Sequence, residues 1–242
     1  MKILVTGVGG QLGYDVCKVL DARKIENKGV DLADFDITDA QATHDYIAAY
    51  RPDAVIHCSA WTADELDKVR AVNTEGPRNI AKVCKEIGAK MLYISTDYVF
   101  PGTGERFYEP DDPTGPLGAY GSTKLGGELA VKEQLDNFIV RISWVFGKNG
   151  NNFVKTMLRL AETHDELNVV CDQIGSPTYT ADLAPLLCNM IVTEKYGTYH
   201  ATNEGTCSWA DFAEVIFELA GKKVTSRPAS TRPVRCVRSI RA

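Results

Sequence analysis

The chain has 242 residues, 44% hydrophobic and 24% charged, which is enough to bury a sizeable core and too apolar for disorder over most of its length. A net charge of −5 gives no footing for nucleic-acid binding, and no apolar run approaches a membrane span. Seven cysteines, scattered and without a Cys-x-x-Cys pair, and four isolated histidines argue against a disulfide framework and a metal centre.

The chain opens directly on the apolar run Lys2-Ile3-Leu4-Val5 rather than a secretory pattern, so a cytoplasmic location is expected. Ile3–Thr6 predicts a strand, and Gln11–Arg23 a helix with Leu12, Val16, Cys17 and Leu20 on one face. Lys28–Leu32 predicts a second strand. Thr38 and Asp39, as cap and first-turn acid, open a helix that runs to Tyr50. Ala54–Ala60 is nearly all apolar, as in a strand covered on both faces. Pro77 begins a helix ending near Gly88, and Met91–Thr96 is another strand. A helix over Tyr120–Leu135 and a strand over Phe138–Val145 follow.

This alternation predicts an α/β fold, a Rossmann-like doubly wound parallel sheet over residues 1–147, rejoined by 179–201. Asn152–His164, Thr180–Thr193 and Ser208–Ala220 read as helices, with Thr180 and Ser208 as caps, and Leu167–Cys171 and Thr198–Ala201 as short strands. Residues 148–178 and 202–242 then form a smaller C-terminal substrate-binding region. Residues 222–242 carry seven basic residues and no acid, leaving −12 on the first 221. That tail is either a site for an anionic ligand or a solvated terminus.

Gly7, Gly10 and Gly13 form a Gly-x-x-Gly-x-x-Gly loop between the first strand and the first helix. The chain turns sharply at the first glycine, approaches a pyrophosphate at the second and packs the helix on the sheet at the third. The helix N-terminus supplies free N–H groups to the phosphates. Asp31, after the second strand, is either the acid that binds the adenosine ribose hydroxyls, which favours NAD over NADP, or an ordinary loop aspartate. Asp36 and Ile37 are placed to flank the adenine.

Tyr120-Gly121-Ser122-Thr123-Lys124 puts a phenol and an ammonium one helical turn apart. A nearby cation favours phenolate and tunes the tyrosine for proton transfer. Tyr14 and Lys18 repeat the spacing, incidentally, just past the glycine loop. What distinguishes Tyr120 is the strand ending in Ser95-Thr96-Asp97. It delivers a hydroxyl to the carboxyl edge of the sheet, where ligands bind, and completes a carbonyl-reducing triad.

These residues resemble the extended short-chain dehydrogenase/reductase superfamily and, within it, the dTDP-4-dehydrorhamnose reductases. The similarity runs from residue 1 to about 237. It is carried by Gly7–Gly13, Asp36–Asp39, Tyr93–Phe100, Tyr120–Lys124, Arg141–Gly147, Asn151–Phe153 and Asp172–Thr178. Related dehydratases carry an acid directly after the Thr-Asp pair, whereas Tyr98 stands here, which points to reduction without elimination. The resemblance implies reduced NAD or NADP as hydride donor, with cofactor contacts also at Gln11, Leu12, Ser59 and Ala60. It implies that Thr96 binds the keto oxygen, Tyr120 donates the proton, Lys124 holds the nicotinamide ribose and lowers the tyrosine pKa, and Asp97 orients the substrate. Trp144, Asn152, Gln173, Pro177 and Thr178 would line the nucleotide-sugar pocket, with Arg232 on the pyrophosphate. Trp209 is expected only to pack its helix. Relatives often dimerise, so a homodimer is an expectation; some use magnesium, for which this sequence shows no ligand cluster. After Ala63 the family's Val-Asp-Lys-Ala-Glu segment is absent here, and relatives continue beyond residue 242. A non-catalytic binding protein of the same fold, and a reductase or epimerase of another nucleotide sugar, remain as alternatives.

Overall fold

Short aliphatic runs become strands where both faces can be covered, and longer amphipathic runs become the helices that cover them. The computed structural model describes residues 1–62, 65–103, 106–134, 136–230 and 236–237. The first part of the chain comprises β1 (Lys2–Thr6), α1 (Gln11–Ala22), β2 (Glu26–Val30), α2 (Ala40–Tyr50), β3 (Ala54–His57), α3 (Leu66–Arg70), α4 (Gly76–Ile87), β4 (Lys90–Thr96), α5 (Ala119–Lys132) and β5 (Phe138–Ile142). After it come β6 (Val145–Phe146), α6 (Phe153–Leu160), β7 (Glu166–Val170), β8 (Gln173–Gly175), β9 (Thr178–Tyr179), α7 (Thr180–Met190) and β10 (Gly197–His200). The last elements are β11 (Cys207–Ser208), α8 (Trp209–Leu219), β12 (Thr225–Ala229) and β13 (Cys236–Val237).

Six strands form one sheet in the order β2-β1-β3-β4-β5-β10, with every pair parallel. Alternate residues face opposite layers. Ile3 and Val5 of β1 meet Leu12, Val16 and Leu20 of α1 and Leu183 and Leu187 of α7. Leu4, Val55, Met91 and Ile139 meet Ile47, Ile80, Val83 and Val131 on the other face. Fully burying each such side chain stabilises the fold by about 1.5–3 kcal/mol. A smaller region packs α6 and α8 over β7 through Met157, Val169, Ala213, Ile216 and Phe217. Its strands pair as β7 with β12, β8 with β11 and β13, and β6 with β9. From β1 the chain passes to β2 on one side and reaches β3 on the other, so the carboxyl ends of β1 and β3 open a crevice.

Several local expectations shift. Asp39, not Thr38, is the cap of α2, accepting from the amides of Gln41 at 2.9 Å and Ala42 at 3.0 Å. Tyr179 is the N-cap position of α7, and the Thr180 hydroxyl donates instead to Asp15 of α1, tying two helices together. The expected strand over Phe138–Val145 ends at Ile142 and turns at Trp144, which adopts φ 48°, so that Val145 pairs with Thr178 of β9 instead. The helix expected from Pro77 begins far upstream at Leu66, joined to α4 by a π-helical turn over Ala71–Glu75. That turn is specified by tertiary partners. Asn73 both accepts from and donates to the backbone of Trp61, each at 2.9 Å, and Thr74 donates to the Thr123 carbonyl of α5 at 2.8 Å. A π-turn often marks a functional site, and this one seats α5.

The last residue of β3, His57, is fully buried, with Nδ1 2.7 Å from the Thr6 hydroxyl and its ring stacked on Tyr93. Burial, then the charge of Lys124, pushes its pKa down to about 3. The unfolded chain therefore takes up a proton near pH 6.5 that the fold refuses, and stability is lost as pH falls from about 6.5 toward 3. Between pH 6.5 and 5 this residue alone is expected to cost about 2 kcal/mol. Urea unfolding at the two pH values should show a smaller loss in His57→Asn.

Candidate active site

The glycine loop is dictated by atoms that leave no space for a Cβ. Gly7 has φ 73°, and a Cβ there would lie 2.7 Å from the amide nitrogen of Ser59. At Gly13 a Cβ would run into the Gly7 carbonyl, so the third glycine lets α1 pack on the turn. Gly10 is the N-cap and offers no capping side chain, which leaves first-turn N–H groups and the helix dipole for an anion.

Gly7, Gly10, Asp31, Asp36, Ile37, Ser59 and Ala60 line one cleft of about 370 Å3 at the β1/β3 crevice. Gln11 and Leu12 do not line it: Leu12 is buried in the core beneath, and Gln11 accepts from Asn152 at 3.0 Å. The Asp31 carboxylate accepts from the amides of Gly9 at 2.8 Å and Leu32 at 2.9 Å, which aims it into the cleft. Asp36 accepts from the amide and hydroxyl of Thr38, each at 2.8 Å. A glycine cradle, an open helix N-terminus and a pre-set carboxylate fit a dinucleotide.

Beside it, β4 ends in Thr96 and is followed by Asp97, both buried. Thr96 accepts from the Tyr98 amide at 3.2 Å and donates to Asp97 at 3.1 Å. Tyr120 packs edge-on against Tyr98, with ring centroids 6.0 Å apart, which brings its phenol beside Thr96. Burial, then the Asp97 charge, raises the Tyr120 pKa, and the Thr96 hydroxyl opposes them. The expectation that Lys124 lowers this pKa needs correction. The Lys124 ammonium donates to the Ile94 carbonyl at 2.6 Å and sits 4.1 Å from the centroid of Tyr93. It acts on Cys58 of the cleft wall and on His57, and is not among the groups acting on Tyr120. The Ile94 carbonyl is available to it because β3 pairs with β4 only as far as Tyr93. Burial brings the Lys124 pKa down to about 7, against the support of Glu128 and Cys58.

On the substrate side the expected residues divide. Trp144 stacks on Trp209, with centroids 3.6 Å apart, so Trp209 does more than pack its own helix. The left-handed backbone of Trp144 costs about 1–3 kcal/mol, which its packing must offset. The polar atoms of Asn152 are committed: Oδ1 caps α6 at the Lys155 amide, and Nδ2 donates to Gln11 and to the Gly147 carbonyl. Asn152 therefore joins the glycine loop to α6 rather than standing free for a sugar. Thr178 is buried, its amide on the Trp144 carbonyl at 3.2 Å. Gln173 begins β8, and Pro177 lines a second, shallower cavity with Phe146, Tyr179 and Asn203. Arg232 lies outside the described residues. Tyr14 is exposed with Lys18 over its ring, away from the cleft lining.

The family description "RmlD substrate binding domain" matches residues 1–241. A dTDP-4-dehydrorhamnose reductase of Streptomyces griseus is 44% identical over 242 residues, covering 95% of this chain and 78% of that protein. The chain belongs to the dTDP-4-dehydrorhamnose reductase family. A crystal structure of the Clostridium acetobutylicum reductase superposes with a TM-score of 0.95 at 42% identity, covering 100% of this chain and 90% of that one. The Bacillus anthracis reductase, crystallised with NADP, has a TM-score of 0.94 at 40% identity, covering 99% and 90%. Membership makes the chain an NAD(P)-dependent oxidoreductase. No helix among the described residues is long and apolar enough to cross a membrane.

The reductase site also rests on residues that motif reading passes over. Arg141 of β5 donates through Nε at 2.9 Å and Nη2 at 2.8 Å to the two carboxylate oxygens of Glu128 on α5, with side chains 3% and 1% exposed. Ser95 also donates to Glu128, and Arg141 Nη1 donates to the Pro110 carbonyl at 2.9 Å. Tyr93 donates to the Asn73 and Lys124 carbonyls, each at 3.2 Å. Asn149 donates to the carbonyls of Gly9 at 3.1 Å and Gly10 at 2.9 Å. A buried charge at i+4 from Lys124 and another in an apolar strand were the available signals for Glu128 and Arg141. Glu128→Gln strands a buried guanidinium and should cost about 3–5 kcal/mol in urea unfolding, whereas Glu128→Leu with Arg141→Met should recover most of it.

Proposed function

We propose that this chain reduces dTDP-4-dehydro-6-deoxy-L-mannose to dTDP-L-rhamnose, the closing step of dTDP-rhamnose synthesis. The observation that carries this reading is that Tyr120 and Lys124, one turn apart on α5, both meet the carboxyl end of β4, Tyr120 packed on Tyr98 just after Thr96 and Lys124 bonded to the Ile94 carbonyl, next to the glycine-lined cleft. Gly7, Gly10 and the α1 N-terminus hold the cofactor pyrophosphate, Asp31 the adenosine ribose, and Lys124 the nicotinamide ribose. The bound reduced nicotinamide supplies the hydride. Thr96 donates to the C4 keto oxygen and orients it. Tyr120 keeps its proton through neutral pH, since burial and Asp97 raise its pKa, and hands it to that oxygen as negative charge develops there.

Tyr98 stands where elimination would call for an acid, in keeping with reduction alone. We assign cofactor binding to residues 1–147 with 179–201, and the nucleotide sugar to 148–178 and 202–242. Trp144, Gln173 and Pro177 take the sugar side, and Arg232 the pyrophosphate. Asp31 favours NADH, because a 2′-phosphate would meet its carboxylate.

Two measurements test this. Tyr120→Phe should bind NADH as the parent does and lose about 10²–10⁴-fold in turnover with the nucleotide sugar; full activity would remove the proton-donor role. In Asp31→Ser the NADPH-to-NADH ratio of kcat/KM should rise by about tenfold. An unchanged ratio would take Asp31 off the ribose.

A further inference from the structure

Trp144 and Trp209 lie far apart in sequence and meet face to face, with centroids 3.6 Å apart and planes at 11°. Trp144 occupies the turn between β5 and β6 at φ 48°, a conformation that a large side chain adopts only when its surroundings impose it. The Thr178 amide holds the backbone there, on the Trp144 carbonyl at 3.2 Å, and two contacts hold the indole. The first is Trp209, which opens α8; it is backed by Phe153 at 4.6 Å and preceded by Ser208, whose reciprocal capping box with Asp211 fixes the start of the helix. The second is Gly175 at the end of β8, where an added Cβ would lie 2.5, 2.7 and 2.8 Å from Cε2, Nε1 and Cζ2 of the Trp144 indole. β8 and β11 are paired, with Cys207 opposite Gly175 and Ser208 opposite Ile174. Both contacts therefore belong to one unit of the smaller region, and they form a slot that grips the indole.

We propose that Trp209 is a positioning residue for the reduction: with Gly175 it sets the Trp144 indole in the single orientation in which it meets the sugar of the nucleotide-sugar substrate. This rests on the reading of Trp144 as a sugar contact. Trp209 covers a face of Trp144 and so acts through it, and the sugar meets what the slot leaves open. A stacked neighbour removes the rotamer freedom of the contact residue before the substrate arrives, so binding does not have to order it. A tryptophan that only filled space would, when removed, weaken the fold and injure cofactor and sugar binding alike.

The experiment uses the full chain with NADH and dTDP-4-dehydrorhamnose, in the variants Trp209→Leu, Trp209→Phe, Gly175→Ala and Trp144→Phe. Trp209→Leu should raise KM for the nucleotide sugar by about tenfold, with the NADH dissociation constant unchanged and kcat within about threefold. Trp209→Phe keeps an aromatic face and should restore most of that loss. Gly175→Ala narrows the slot from the other contact and should raise the same KM, which keeps the test decisive should Trp209→Leu fail to fold. The coupled-indole band in far-ultraviolet circular dichroism should vanish in Trp209→Leu and in Trp144→Phe. An unchanged KM in the folded Trp209→Leu or Gly175→Ala variant, or a KM that rises only in step with NADH binding, overturns the proposal. Trp144→Phe separates the two layers. If it raises KM while the slot variants do not, only the positioning role fails; if it leaves KM unchanged, the sugar-contact reading fails and takes the positioning role with it.

Discussion

The bidentate pair between Glu128 and Arg141 is the constraint on which the catalytic end of this molecule depends. Both groups are withdrawn from water, and their desolvation is tolerable only because every side of the carboxylate is engaged, by two guanidinium nitrogens and by Ser95. The pair thereby locks α5 to β4 and β5. The free arm of Arg141 holds the Pro110 carbonyl, in the segment that leads into α5. Tyr120 and Lys124 ride on α5 and Thr96 ends β4, so one ion pair sets the spacing of these three side chains. It also bears on charge. Glu128 supports the buried ammonium of Lys124 one turn away, whose pKa burial has already brought down to about 7.

The cofactor side follows a different physical rule. There the backbone shapes the cleft, and the glycines are required because the Ser59 amide and the Gly7 carbonyl occupy the space where side chains would be. The loop is also braced from the smaller region: Asn149 holds two of its carbonyls, and Asn152 reaches Gln11 while capping α6. The two halves of the reductase thus meet through amide side chains at the loop and through the stacked indoles of Trp144 and Trp209. The glycine loop and the start of α6 are thereby mechanically continuous.

Much of this was legible in the residues. Short unbroken apolar runs placed the strands of the parallel sheet within a few residues, since a strand buried on both faces must be apolar throughout. Gly7, Gly10 and Gly13 announced the cleft because only a close backbone approach requires glycine at that spacing. The placement of Thr96 at the end of β4, and of Tyr120 and Lys124 one turn apart on α5, was also legible. The misses share a cause. The π-turn at Ala71–Glu75, the break at Trp144 and the Thr180 bond to Asp15 are each set by partners distant in sequence, which no local propensity can report.

The sequence by itself therefore determined the fold class and the glycine turn at the cleft, because each depends on local spacing: short unbroken apolar runs, period 3.6 and a glycine triplet. Only the tertiary structure decided where the Lys124 ammonium points, which carboxylate answers Arg141, that Asn152 is spent on structure and that Trp209 backs Trp144. Those outcomes depend on which buried polar group finds which partner once water is excluded, and that pairing is made across the sheet and between the two halves rather than along the chain.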